Sequence, residues 1–331
     1  MLQKRSRNEA FMDRLSAGLS GSEAATTEDE LGADVNQSAA ATILEQAQLH
    51  LAIPAELFAL NELDVLYSAE DEALWTFMRP AGRPSFTPTM LGDFGNWQRL
   101  IGVHFGPDRV PLKYLVLGSR APGVFCFGGD LELFASLIRA GDRDALAAYG
   151  CRCVEILHRN MQGLDLPLLT IGLVQGQALG GGFEALLSFD YIIAERGSTF
   201  GLPEVMFGLF PGMGAHAILS RRLGQAMADR IIMGNEIYSA EAMFDLGIVH
   251  QLADPGDGEA SVRDFIAKSA RRHAGLLGAR RASRRSNAVP LSELRDIVDH
   301  WADAALQLRE QDLKLMQRLA GAQSRLPRAA A

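Results

Sequence analysis

The chain is short of cysteine, with only Cys126, Cys151 and Cys153 in 331 residues. An odd count without a repeating spacing excludes a disulfide framework, and the neighbouring residues do not complete a zinc set. Cys151 and Cys153 stand two apart in a helical stretch and point away from each other, so all three are expected to pack rather than react. No run approaches the roughly 20 apolar residues of a membrane span. The basic residues Lys4, Arg5 and Arg7 are not followed by the apolar stretch of a secretory signal. No membrane span and a cytoplasmic location are therefore expected. An excess of positive charge is also missing: 32 Lys and Arg stand against 40 Asp and Glu, for a net charge of -8. That balance argues against a general nucleic-acid binder.

Lysine and arginine are absent between Arg14 and Arg79. Residues 1–45 are rich in Ser, Ala, Glu, Asp and Gly and cannot bury much apolar surface. They read as a disordered acidic N-terminal extension. The remainder of the chain divides into a core over 46–258 and a helical C-terminal region over 259–331. Glu62–Tyr67 and Ala73–Met78 read as strands around the acidic turn Glu70-Asp71-Glu72. Thr87–Phe105 has helix-spaced apolar residues behind a capping Thr87 and Pro88. Lys113–Gly118, Leu166–Val174 and Tyr191–Ala194 are short apolar runs of the kind buried in parallel sheets. Helices are expected over Leu131–Arg139 and Arg143–Gln162, and one long amphipathic segment over Leu291–Leu319. Strands alternating with helices make an α/β fold of parallel units.

Three segments carry candidate chemistry. In Val174-Gln175-Gly176-Gln177-Ala178-Leu179-Gly180-Gly181-Gly182-Phe183-Glu184 a strand ends, glycines make the turn and a helix begins. Glycine allows close backbone approach, and the first helical N–H groups, unpaired and at the positive end of the dipole, suit a developing oxyanion. The competing reading is a tight turn with a helix-start glutamate. In Phe125-Cys126-Phe127-Gly128-Gly129-Asp130, Asp130 reads as a helix cap and the Gly129 N–H as a second amide facing a ligand. In Gly201-Leu202-Pro203-Glu204, Pro203 stiffens the approach to Glu204, which taken alone reads as a surface carboxylate. Finding all three in this order changes the balance.

Together these segments resemble the crotonase (enoyl-CoA hydratase/isomerase) superfamily over residues 62–252. The resemblance implies a ββα spiral core with a helical C-terminal trimerisation region. It places the thioester oxygen on the backbone N–H groups of Gly129 and Gly181, and the catalytic carboxylates at Glu184 and Glu204. Within the superfamily, LVQGQALGGGFEALLS, GLPEVMFGLFPGMGA and WADAALQLREQDLKLMQRLAGAQSR are similar to bacterial diffusible-signal-factor synthases. That similarity implies dehydration of a 3-hydroxyacyl group on acyl carrier protein, then thioester hydrolysis to a free cis-2-unsaturated fatty acid used in quorum sensing. Acyl-CoA remains open as the carrier, and no resident cofactor or metal is implied. A homotrimer or dimer of trimers is implied, and a sensor-kinase receiver domain is a further partner of such synthases. Two other readings stay open: an ordinary enoyl-CoA hydratase of fatty-acid oxidation, and a non-catalytic crotonase-fold module that binds a sensor kinase.

In the expected mechanism Glu184 is the base at C2 and Glu204 the acid at C3. An acyl slot is expected from the apolar residues that flank the motifs: Phe183, Met206, Phe207, Leu209, Phe210 and Met213. His216 is expected to pack or cap. The basic run Gly278-Ala279-Arg280-Arg281-Ala282-Ser283-Arg284-Arg285 reads either as a docking patch for an acidic carrier or as a solvated helix face.

Overall fold

The computed structural model describes residues 52–323; the extension expected over residues 1–45 lies outside the described residues. The chain enters a hairpin, β1 (Leu63–Ser68) and β2 (Ala73–Met78), paired antiparallel. Every residue of β2 is buried, because it has β1 on one side and β3 (Tyr114–Ser119) on the other. Helix α1 (Pro88–His104) intervenes and starts as its sequence dictates: Thr87 Oγ1 accepts the Met90 N–H, and proline occupies the first turn.

From β3 onward the chain climbs as a spiral between two sheets. The strands β4 (Val124–Cys126), β5 (Leu169–Val174), β6 (Gln177–Leu179), β7 (Tyr191–Glu195), β8 (Thr199–Gly201), β9 (Ile237–Ser239) and β10 (Gln251–Ala253) complete them. One sheet has the order β1-β2-β3-β5-β7-β10 and the other β4-β6-β8-β9. Each of β3–β4, β5–β6 and β7–β8 steps from the first sheet to the second. Successive turns stack in parallel register, Val116 on Ile171 in one sheet and Val124 on Gln177 in the other. This is the expected α/β ββα spiral. Strand β5 begins at Leu169 rather than Leu166, because Leu164 and Asp165 turn through positive φ just before it.

Helices fill the connections: α2 (Leu131–Ala140) and α3 (Arg143–Met161) after β4, and α4 (Gly181–Leu186) after β6. Beyond β8 come α5 (Ala215–Leu223), α6 (Gln225–Met233), α7 (Ala240–Asp245), α8 (Gly258–Ser269) and α9 (His273–Ser286). The single segment expected over Leu291–Leu319 is two helices, α10 (Leu291–Ala305) and α11 (Glu310–Gln323). The break lets α10 lie along α3, where Gly150 is close enough that a β-carbon would stand 2.6 Å from Val298. It also lets Leu313 and Met316 of α11 join Phe134 and Ile138 of α2 in a cluster with Trp301, Phe207 and Leu209. The C-terminal helices thus cover the segment that carries Glu204.

Candidate active site

The glycine turn after β6 does what the sequence suggests. Gly180, at φ 54°, ends β6 and precedes α4. Its carbonyl takes the first ring bonds, from the Phe183 and Glu184 N–H groups, so the Gly181 N–H has no intrahelical acceptor. The facing turn comes after β4. There the Phe86 N–H donates to Gly128 O, and the Gly128 N–H to Cys126 Sγ; neither bond uses the Gly129 N–H. Backbone meets backbone at this point: a β-carbon on Gly181 would lie 3.6 Å from the Gly129 nitrogen. The two glycine turns therefore meet backbone to backbone.

Glu184 is 1% exposed. Its Oε1 accepts the N–H groups of Met213 at 2.9 Å and Ala215 at 3.0 Å, from the loop that leads into α5. Burial pushes its pKa up to about 7, against the pull of those two donors. Glu204 opens a short 3-10 turn behind Pro203. The residue as a whole is part-exposed, but its carboxyl end turns inward. A β-carbon on Gly180 would sit 2.7 Å from Glu204 Oε1. Oε2 is buried without a hydrogen-bond partner among the described residues. Burial first, and the charge of Glu184 second, push Glu204 up to about 8. The structure thus brings Gly129, Gly181, Glu184 and Glu204 to one place.

Comparison with known proteins gives the family. Residues 108–274 match the family model described as Enoyl-CoA hydratase/isomerase. The chain belongs to that family. It is 30% identical over 239 residues to the mitochondrial methylglutaconyl-CoA hydratase 1 of Pyricularia oryzae, covering 69% of this chain and 64% of that protein. It is 34% identical over 140 residues to the fatty acid oxidation complex subunit alpha of Idiomarina loihiensis, covering 42% of this chain and 19% of that protein. The chain therefore spans less than two thirds of the length of either relative. Among solved structures, an enoyl-CoA hydratase from Bacillus halodurans superimposes with a TM-score of 0.67 at 16% identity, covering 78% of this chain and all (100%) of that one. That likeness concerns the fold. Pseudomonas aeruginosa DspI superimposes with a TM-score of 0.58 at 25% identity, covering 68% of this chain and 81% of that chain.

In this enoyl-CoA hydratase/isomerase chain the cavity nearest the site lies apart from most of the residues expected to form an acyl slot. A small cavity of about 30 Å³ is lined by α1 (Leu91, Phe94, Trp97, Gln98) and by α3 (Cys153, Ile156, Leu157, Asn160). Phe86, Leu117, Ala185, Ser188, Phe189 and Met213 complete the wall. Of the six residues expected, Met213 lines it. Phe183 is fully buried against Phe200 in the core. Phe207, Leu209 and Phe210 pack under the C-terminal helices, and Met206 is 51% exposed. Neighbourhood along the chain misled here, because α4 turns its Ala185 side to the cavity and the 204–210 segment faces α10 and α11.

Sequence reasoning also missed two residues behind the amides. Tyr149 Oη donates to Phe86 O and accepts the Asp130 N–H at 3.3 Å. Arg83 Nη2 donates to Gly129 O at 3.3 Å. Both brace the Gly128–Asp130 ribbon, and nothing in their local sequence marks them. Asp130 caps α2 as expected, accepting the Leu133 N–H. His216 packs edge-on against Phe210. Cys126 and Cys153 are buried and Cys151 partly so. In the basic run, Arg284 is spent on a buried pair with Asp190, while Arg281 and Arg285 are exposed. Among the described residues no helix is long and apolar enough to cross a membrane.

Proposed function

We propose that this chain catalyses the loss or addition of water across C2–C3 of an acyl thioester, with Glu184 and Glu204 as the catalytic pair. The observation that carries the reading is a carboxyl pair buried beside two unspent amides. Two such carboxyls in a dry pocket disfavour double ionisation, which leaves one proton between them near neutral pH. Glu184, held by two N–H donors, is the ionised partner. Glu204, whose Oε2 has no donor, keeps the proton.

The Gly129 and Gly181 N–H groups hold the thioester carbonyl oxygen and stabilise the enolate as charge develops. Glu184 takes the C2 proton through its free Oε2. The C3–oxygen bond breaks, Glu204 gives its proton to the departing hydroxyl, and water leaves as the C2–C3 double bond forms. In reverse the same groups hydrate a 2-enoyl thioester.

The finer reading is a diffusible-signal-factor-synthase-like enzyme. After dehydration of a 3-hydroxyacyl chain on acyl carrier protein, a glutamate-activated water adds to C1 and the carrier thiol leaves, releasing a cis-2-unsaturated acid. The motif runs over residues 173–188, 201–215 and 301–325 support it, and the likeness to DspI points the same way. Exposed Arg281 and Arg285 suit an acidic carrier. Assembly as a homotrimer or dimer of trimers, and contact with a sensor-kinase receiver domain, belong to the same reading, which needs no resident cofactor. The hydratase names of the curated relatives favour the second reading, an ordinary enoyl-CoA hydratase.

Mass spectrometry of products from 3-hydroxyacyl-carrier protein and from trans-2-enoyl-CoA separates the two. The synthase reading expects a free cis-2-enoic acid from the first substrate, absent with Glu184→Ala. Reversible hydration of the second substrate alone would leave the hydratase reading. No turnover of either would overturn both.

A further inference from the structure

The carbonyl and the N–H of Gly129 are the two ends of one hydrogen-bonded line. Arg83 Nη2 donates to Gly129 O at 3.3 Å. The N–H of that same peptide belongs to Asp130 and donates to Tyr149 Oη at 3.3 Å. The Tyr149 hydroxyl donates in turn to Phe86 O. The N–H across that peptide belongs to Thr87 and donates to Ser85 O at 2.9 Å. The next N–H, that of Phe86, donates to Gly128 O at 2.7 Å. The last peptide ends in the Gly129 N–H, which has no acceptor among the described residues. Every link donates in one direction, from a guanidinium to a candidate oxyanion donor.

The common direction has a physical consequence. A carbonyl that accepts a hydrogen bond polarises its own amide, so the N–H at the other end becomes a better donor. Links aligned head to tail strengthen one another, most of all where the dielectric is low. This line runs through such a place. Ser85 and Phe86 are buried, and the Arg83 side chain is 7% exposed. Burial raises the Tyr149 pKa well above its ordinary value, so the hydroxyl keeps the proton it donates. Asp130 Oδ1, 3.5 Å from Arg83, offsets part of the charge at the head of the line. A neutral donor would meet the needs of bracing alone, whereas a desolvated cation also pulls on every link that follows.

We infer that Arg83 and Tyr149 are positioning residues of the reaction, which hold and polarise the Gly129 N–H through this line. The inference rests on the proposed role of that N–H as an oxyanion donor. Its effect grows as charge develops on the thioester oxygen, so it belongs to kcat more than to KM.

Infrared difference spectroscopy reads the polarisation on the substrate carbonyl itself. The probe is octanoyl-CoA labelled at C1, or octanoyl-carrier protein if only carrier-bound substrate is turned over; neither can lose or add water at C2–C3. In the wild type the carbonyl band should lie below that of the free thioester. Tyr149→Phe breaks the line in its middle. It should move the band back towards the free value and lower kcat by about three- to tenfold, with KM within about twofold. A 3-fluorotyrosine at position 149 keeps the shape and donates more strongly, so it should move the band the other way. That arm does not depend on the fold tolerating a lost hydroxyl. Arg83→Met should act as Tyr149→Phe does. Because the links are in series, the double variant should lose no more than the larger single loss. A band at the free position in the wild type overturns the inference, as does one unmoved by both changes at position 149. Losses that multiply in the double variant also overturn it, since they would make the two residues separate braces. Wild-type turnover of neither a 3-hydroxyacyl nor a 2-enoyl thioester would sink the dehydratase reading, whereas normal turnover with an unmoved band would sink only the line.

Discussion

A β-carbon placed on Gly128 would stand 2.4 Å from the amide nitrogen of Gly181. The two proposed oxyanion donors are adjacent because no side chain separates these glycines, and Gly128 also holds φ at 86°. Gly128→Ala must force the turns apart and strain its own backbone. We expect kcat to fall by about 10²–10³-fold, the loss typical of one misplaced oxyanion donor. Far-ultraviolet circular dichroism should show the fold retained. Unchanged kcat in a folded variant would remove Gly181 from the site.

Glu204 should destabilise the protein above neutrality. Its pKa is higher when folded, about 8, than the ordinary 4.5. Between those values the native state binds more protons than the unfolded one, so this contribution to stability is present below pH 4.5 and lost as pH rises through 8. Glu204→Gln keeps the neutral form at every pH. Its melting temperature should exceed the wild type's at pH 8.5, and the gap should close towards pH 5. A constant gap across that range would mean that Glu204 ionises freely.

The same pair predicts a bell-shaped dependence of kcat/KM on pH. Activity should decline below about 7 as Glu184 takes up a proton, and above about 8 as Glu204 loses its own. The limbs report apparent values of the pair rather than of either residue. A profile flat from pH 6 to 9 would contradict a one-proton dyad. Glu184→Gln should lower kcat by about 10²–10⁴-fold throughout.

Arg284 serves the fold rather than a carrier. Its guanidinium meets Asp190 with both side chains largely buried, and Asp190 also receives the Thr170 N–H and hydroxyl. Removing one partner of such a pair leaves an uncompensated charge, at a cost of about 3 kcal/mol or more. Arg284→Met should therefore lower the urea midpoint markedly. KM for a carrier-bound substrate should stay within about twofold of wild type if this arginine takes no part in docking, and a selective rise in KM would reverse the assignment.

Local signals in the sequence translated directly into local structure. Thr87 before Pro88 and Asp130 before Leu131 cap helices through bonds that span three residues. The run Ala73–Met78, apolar but for Thr76, became a strand buried throughout. The glycine triplet became a strand-to-helix turn, since only glycine tolerates the contacts made there. What escaped were contacts that depend on distant partners. The three-residue strands β4, β6, β8, β9 and β10 carry too little pattern to announce themselves. The break between α10 and α11 places Leu308 against Gly208, a contact that no helical periodicity encodes. The cavity went unforeseen because its walls are α1 and α3, whose apolar faces look in sequence like those of any core helix.

The sequence by itself determined the longer strands, the caps, the glycine turns and which residue types could do acid–base chemistry. Those features arise from bonds and steric limits within a few residues. Only the tertiary structure decided that Glu184 and the carboxyl end of Glu204 are buried at one place and that Tyr149 and Arg83 brace the amide ribbon. Each of these depends on burial and on neighbours contributed by other turns of the spiral. Desolvation and charge coupling act through space, so no spacing along the chain can carry them.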